Sequence, residues 1–203
     1  MTTLANRIQY LAESETLAMS RKSRELKAEG HDVINLSLGE PDFNTPDYIK
    51  EAAKEGIDRN FTFYPPVAGY EDLRKAICTK LKRDNNLDYD CTQIVVSTGA
   101  KQSIANVVLS LVNPGDEVLV PAPYWVSYKE IIKVAEGKAV YIQATIENNF
   151  KITPAQLEAA ITPKTRLMIY SSPCNPTGSV YTRDELKALA DVLVKYPDVT
   201  IVA

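Results

Sequence analysis

Apolar positions along the chain change period several times, and the changes mark its elements. From Thr16 to Glu29 they recur at helical spacing until Gly30, which predicts a helix stopped by a glycine. "VINLSLG" follows and predicts a short strand. Thr45-Pro46 predicts a cap with proline at the first helical position, opening a helix to about Arg59. "FTFYPPVAGY" predicts a loop, after which Leu73, Ala76, Ile77 and Leu81 form a second helical stripe.

From Gln93 the pattern becomes regular. Strand "QIVVS" leads to helix 100–112, "EVLVP" to helix 126–136, "AVYIQ" to helix 154–161 and "TRLMIY" to helix 183–195. Thr153 with Gln156, and Thr182 with Glu185, have capping-box spacing, and Leu186, Leu189, Ala190 and Leu193 then share one helix face. Strands alternating with helices of this length predict an α/β fold of three layers, a mostly parallel sheet with helices on both faces. A loop-and-helix crossover over 146–165 is the main irregularity. "VTIVA", at the end of the sequence, has the β-branched character of a central strand, which raises the expectation that further chain follows.

Composition narrows the function without naming it. The 203 residues carry 45% hydrophobic and 24% charged side chains with a net charge of -3, enough for a sizeable core and without the basic field that nucleic acid demands. No apolar run approaches the roughly 20 residues that span a bilayer, and "MTTLANRIQYLAES" lacks a signal-peptide core. Cys78, Cys91 and Cys174 stand far apart, with neither a disulfide framework nor zinc-site spacing. A reducing cytoplasm and a small-molecule ligand are therefore expected. His31 is the sole histidine and is expected in a surface turn, with no metal site.

Five stretches carry candidate chemistry. In "STGAKQSI", Gly99, Ala100 and Lys101 join a strand to a helix, where free N–H groups and the positive helix end suit a phosphate or serve as an ordinary turn. In "PAPYWVSY" the only tryptophan, Trp125, either stacks on a planar ligand or fills the space between sheet and helix. "LGEPDFNTP" sets Gly39 before a rigid turn able to bring backbone N–H groups to a carboxylate, and Tyr64 of "FTFYPPVAG" offers a hydroxyl donor. "SSPCNPTG" holds Asn175 between prolines at the end of a strand, where open α/β sheets bind ligands.

Taken in order, "GEPDF", "YPPVAG", "STGAKQ", "NPGDEVLVPAPYWVSY" and "SPCNPTG" resemble the class I aspartate aminotransferases, enzymes of fold type I that use pyridoxal 5′-phosphate (PLP). The resemblance covers essentially the whole chain. It implies that Gly99, Ala100 and Lys101 hold the cofactor's phosphate, Trp125 stacks on its ring, and Asn175 bonds its phenolic oxygen and faces the substrate carboxylate. It implies Gly39 as a donor to that carboxylate, and Ser14, Thr16 and Lys101 at the substrate's distal carboxylate. Tyr64 is implied to reach the phosphate of a neighbouring subunit's cofactor, hence a homodimer with shared active sites.

The implied activity moves an amino group between an amino acid, aspartate first, and 2-oxoglutarate through an imine of PLP. Aromatic amino acids and prephenate are further substrates to consider. A lyase or synthase on the same fold and a non-catalytic fragment are the rival readings. The implied domains are 1–45, an arm with part of a small domain, and 46–203, the first part of a PLP-binding large domain. The family's Schiff-base lysine lies downstream of the "NPTG" motif and has no match here, so no catalytic residue is assigned and the chain is expected to stop before it.

Overall fold

Helices α1 (Asn6–Gln9) and α2 (Glu15–Ala28) begin the computed structural model, which describes residues 3–203. Helix α2 ends as expected: Gly30 takes a φ of +90°, and His31 donates its N–H to Leu26 O at 3.1 Å. Helices α3 (Asp47–Asp58) and α4 (Glu71–Asn85) follow. Contacts divide the chain into two units, one made of residues up to Ala18 together with Lys101–Ala203, the other of Met19–Ala100. This division belongs to the 203 residues themselves; the expected boundary at residue 45 concerns domains of a whole family member.

Three expectations in the second unit need correction. "VINLSLG" forms no strand: Ile34 and Leu36 are exposed, and the Asn35 side chain takes the Ser37 N–H at 3.1 Å, a local bond in place of a ladder. "QIVVS" forms none either, because Gln93 is used in a capping box with Asp90 over the short 3-10 turn Cys91–Gln93. Val96 then makes one backbone bond, to Ala68 O, rather than a ladder. Pro46, not Thr45, is the N-cap of α3, and no side chain caps it.

The first unit contains the sheet. Helix α5 (Ala100–Leu111) leads to β1 (Glu117–Ala122), α6 (Ser127–Val134), β2 (Lys138–Gln143), α7 (Pro154–Ala160), β3 (Thr165–Ile169), α8 (Arg183–Leu193) and β4 (Thr200–Val202). The order is β2-β1-β3-β4 and every pair is parallel. Period-two alternation sends Val118, Val120, Leu167 and Ile169 to one face, against Val108 of α5 and Ile132 of α6. It sends Leu119 and Met168 to the other, against Leu157 of α7 and Leu189 and Val192 of α8. Each such Leu or Ile contributes about 1.5–3 kcal/mol by leaving water, so both strands are fixed from two sides. The three-layer α/β expectation holds, and both capping boxes form, with Thr153 and Thr182 accepting from the Gln156 and Glu185 amides.

Glu117 starts the central strand almost wholly buried, accepting from Thr162 Oγ1 at 2.6 Å and from Lys138 Nζ at 3.0 Å. The Thr162 hydroxyl first, and Lys138 next, hold its carboxyl below the usual 4.5. A lowered folded-state value adds stability that is complete above the ordinary glutamate range and is lost as pH falls through the folded value. The thermal midpoint should therefore exceed that of Glu117→Gln at neutral pH and converge on it below pH 4.5. Equal midpoints at pH 7 would remove this role.

Candidate cofactor site

From β1 the chain turns through α6 to β2 on one side, whereas from β3 it turns through α8 to β4 on the other. The two connections run over opposite faces, so the strand order reverses between β1 and β3 and leaves a crevice at the strands' carboxyl ends, flanked by the loops that follow these two strands. Trp125 stands in the first loop and Asn175 in the second. The loops touch, Cys174 Sγ donating to Pro123 O at 3.4 Å. The Ala122–Pro123, Ser172–Pro173 and Asn175–Pro176 bonds are cis.

Trp125 is half-buried, with Tyr128 edge-on to its ring at 5.6 Å and 88°. Lys101 Nζ lies over the indole, 5.1 Å from the ring centroid, a cation on an electron-rich face. Asn175 is exposed, and its N–H donates to Ser171 Oγ at 3.4 Å. Tyr124 stacks on Tyr141 at 5.1 Å; burial, and then the bond with Tyr141, push its hydroxyl up to about 12. Tyr124, Tyr128, Tyr170, Ser171, Cys174 and Tyr181 wall a small cleft beneath these loops.

Helix α5 opens at Ala100, directly after Gly99, whose φ is +83° and whose α-carbon faces open space. No acidic residue stands in its first turn. Of the three amides expected at an anion, Gly99's donates instead to Ser97 O at 2.8 Å. Those of Ala100 and Lys101 remain as first-turn amides, which have no intrahelical acceptor. Ser14 stands at the start of α2, its carbonyl accepting from Ala18, with Thr16 in the first turn. The segment before them is tied to α6 through Ala12 N–H to Glu130 Oε2 at 3.1 Å and Lys133 Nζ to Tyr10 O at 3.3 Å. Gly39 and Tyr64 belong to the other unit, where both are exposed.

The structure thus brings Lys101 to Trp125 and ties the Trp125 and Asn175 loops together. Sequence reading missed Tyr128 and Ser171, which brace those loops. The aromatic pair three residues apart in "WVSY", spanning a helix start, is the signal that could have found Tyr128.

The chain matches the model of the family described as aminotransferase class I and II over residues 31–203. It belongs to that family. Its enzymes are PLP-dependent, and the site agrees with that cofactor: an acid-free helix start beside an open glycine suits a phosphate, and an indole at the crevice suits a planar ring. A probable aspartate/prephenate aminotransferase of Rhizobium leguminosarum is 54% identical over 99% of this chain and 50% of its own length. The aspartate aminotransferase of Bacillus subtilis is 48% identical over 98% of this chain and 51% of its own. The solved aspartate aminotransferase of Rhizobium meliloti superposes with a TM-score of 0.95 at 41% identity, over 99% of this chain and 50% of that one. The chain spans about half the length of the curated relatives it matches.

Proposed function

We propose that these residues form the cofactor-anchoring half of an enzyme that transfers an amino group from aspartate to 2-oxoglutarate, with prephenate as an alternative oxo-acid acceptor. The observation that carries this is the Trp125 ring with Lys101 over it at the strand-order reversal, in a chain 54% identical to a probable aspartate/prephenate aminotransferase. PLP, when bound, supplies the electron sink for the reaction. The Ala100 and Lys101 amides hold its phosphate, the Trp125 ring its plane, and the Asn175 side-chain N–H its phenolic oxygen. Gly39 donates to the α-carboxylate, and Ser14, Thr16 and Lys101 orient the distal one. Tyr64 reaches a neighbouring subunit's phosphate, which makes the working form a homodimer, placed in the cytoplasm.

The test joins these residues to the second half of the Rhizobium leguminosarum relative. The chimaera is expected to convert aspartate and 2-oxoglutarate. In it, Asn175→Ala should lower kcat/KM roughly ten- to a hundredfold, the worth of a hydrogen bond to a charged group at about 1.5–3 kcal/mol. A folded chimaera that binds PLP yet transfers no amino group from aspartate would overturn the reading.

A further inference from the structure

Two cysteines that look unrelated in the sequence meet in the second unit. Arg74 and Cys78 are one turn apart on α4 and so share a face. Arg74 Nη1 donates to Cys91 O at 2.9 Å, which brings Cys91 to the α4 face that carries Cys78, where the two thiols interact. Cys91 reaches this face because α4 stops at Asn86, whose φ of 54° turns the chain back. The Lys82–Asp88 pair at 2.6 Å pins the return. The Asp90 capping box, with Thr92 N–H to Asp90 Oδ1 at 2.8 Å and Asp90 N–H to Gln93 Oε1 at 2.9 Å, fixes the turn that carries Cys91. Both thiols are half-buried, open to a small reagent, while Cys174 belongs to the other unit and donates to Pro123 O.

We propose that Cys78 and Cys91 form a thiol–disulfide exchange site, closing an intramolecular disulfide at the expense of a low-molecular-weight disulfide. Burial first, and the interaction with Cys91 next, push the Cys78 thiol up; either sulfur opens the exchange once it has lost its proton, and the steps are written for Cys91. Cys91 gives its proton to water and attacks one sulfur of the external disulfide. That S–S bond breaks, one thiolate leaves, and Cys91 carries a mixed disulfide. Cys78 then loses its proton and attacks the Cys91 sulfur, expelling the second thiolate. The two thiolates take up the two protons; the external disulfide is reduced to two thiols and the protein is two hydrogen atoms lighter.

The test incubates the native chain with oxidised glutathione, blocks the remaining thiols with iodoacetamide, and reads intact mass and a non-reducing tryptic map. Alkylatable thiols should fall from three to one, with peptide 76–80 linked to peptide 84–101, Cys174 alkylated, and full reversal by dithiothreitol. Cys78→Ser and Cys91→Ser should each halt at a glutathione adduct on the remaining partner. Three thiols persisting in the native chain while the urea-unfolded chain oxidises would overturn the proposal. So would stable glutathione adducts on both Cys78 and Cys91, or any link that includes Cys174.

Discussion

Given PLP, aspartate and 2-oxoglutarate, the 203-residue chain on its own is expected to show no turnover above that of the free cofactor. Borohydride reduction is expected to leave no stoichiometric lysine label. Amino transfer needs a base that takes the substrate's proton, and a positioned acid–base group is worth roughly 10²–10⁴ in rate. The family resemblance puts that lysine downstream of Asn175. The chain has two lysines there, and both are engaged as ion pairs on the surface: Lys187 with Asp191 at 2.6 Å and Lys195 with Glu158 at 2.8 Å. Lys101 is the remaining candidate, with its Nζ over the Trp125 ring, 5.1 Å from the centroid, where the proposed function uses it to anchor ligand. Coupled assay of oxaloacetate release and peptide mapping after reduction decide the matter. Turnover accompanied by full labelling of Lys101 would show the chain to be a complete catalyst and this account wrong.

Gly69→Ala is expected to lower stability by about 3 kcal/mol, the largest single-site effect anticipated in the second unit. Two costs combine. Gly69 has a φ of +94°, a region where an L side chain is strained, and a left-handed non-glycine residue costs roughly 1–2 kcal/mol. Its added Cβ would also lie 2.7 Å from both Cβ and Cγ2 of Val96, a stiff β-branched side chain with no free rotation away. Overpacking of that kind costs typically 1–3 kcal/mol. The approach is held by the backbone, since Gly69 donates to Pro66 O at 2.8 Å and Val96 to Ala68 O at 3.0 Å. Urea unfolding measures the loss, and Val96→Ala in the same chain should recover only the part owed to Cγ2, since alanine keeps the Cβ that also lies at 2.7 Å, and should leave the φ cost. An unchanged midpoint in Gly69→Ala would mean the "YPPVAG" loop does not lie against Val96.

The sequence was most legible where local chemistry and burial agree. Thr153 and Thr182 announced their helices because a capping box is complete within four residues. Gly30 announced the end of α2 because only glycine adopts that φ without strain. The apolar runs of β1 and β3 foretold a sheet covered on both faces, since a strand buried on one side alone would alternate with polar residues. "VINLSLG" and "QIVVS" misled because apolar character marks a segment that can pair, and among the described residues no neighbouring strand pairs with either.

By itself, then, the sequence determined the α/β class, the order of elements from Ala100 onward, the family, and the loops that hold Trp125 and Asn175, all of which rest on period, capping and short motifs. Only the tertiary structure decided the rest. The strand order β2-β1-β3-β4, and with it the crevice between the loops, follows from how distant strands pair, which no local pattern encodes. Lys101 meets Trp125 because α5 and the β1–α6 loop pack on one face of that sheet. Cys78 meets Cys91 because a left-handed Asn86 sends the chain back along α4, so residues that are distant by count become neighbours by geometry.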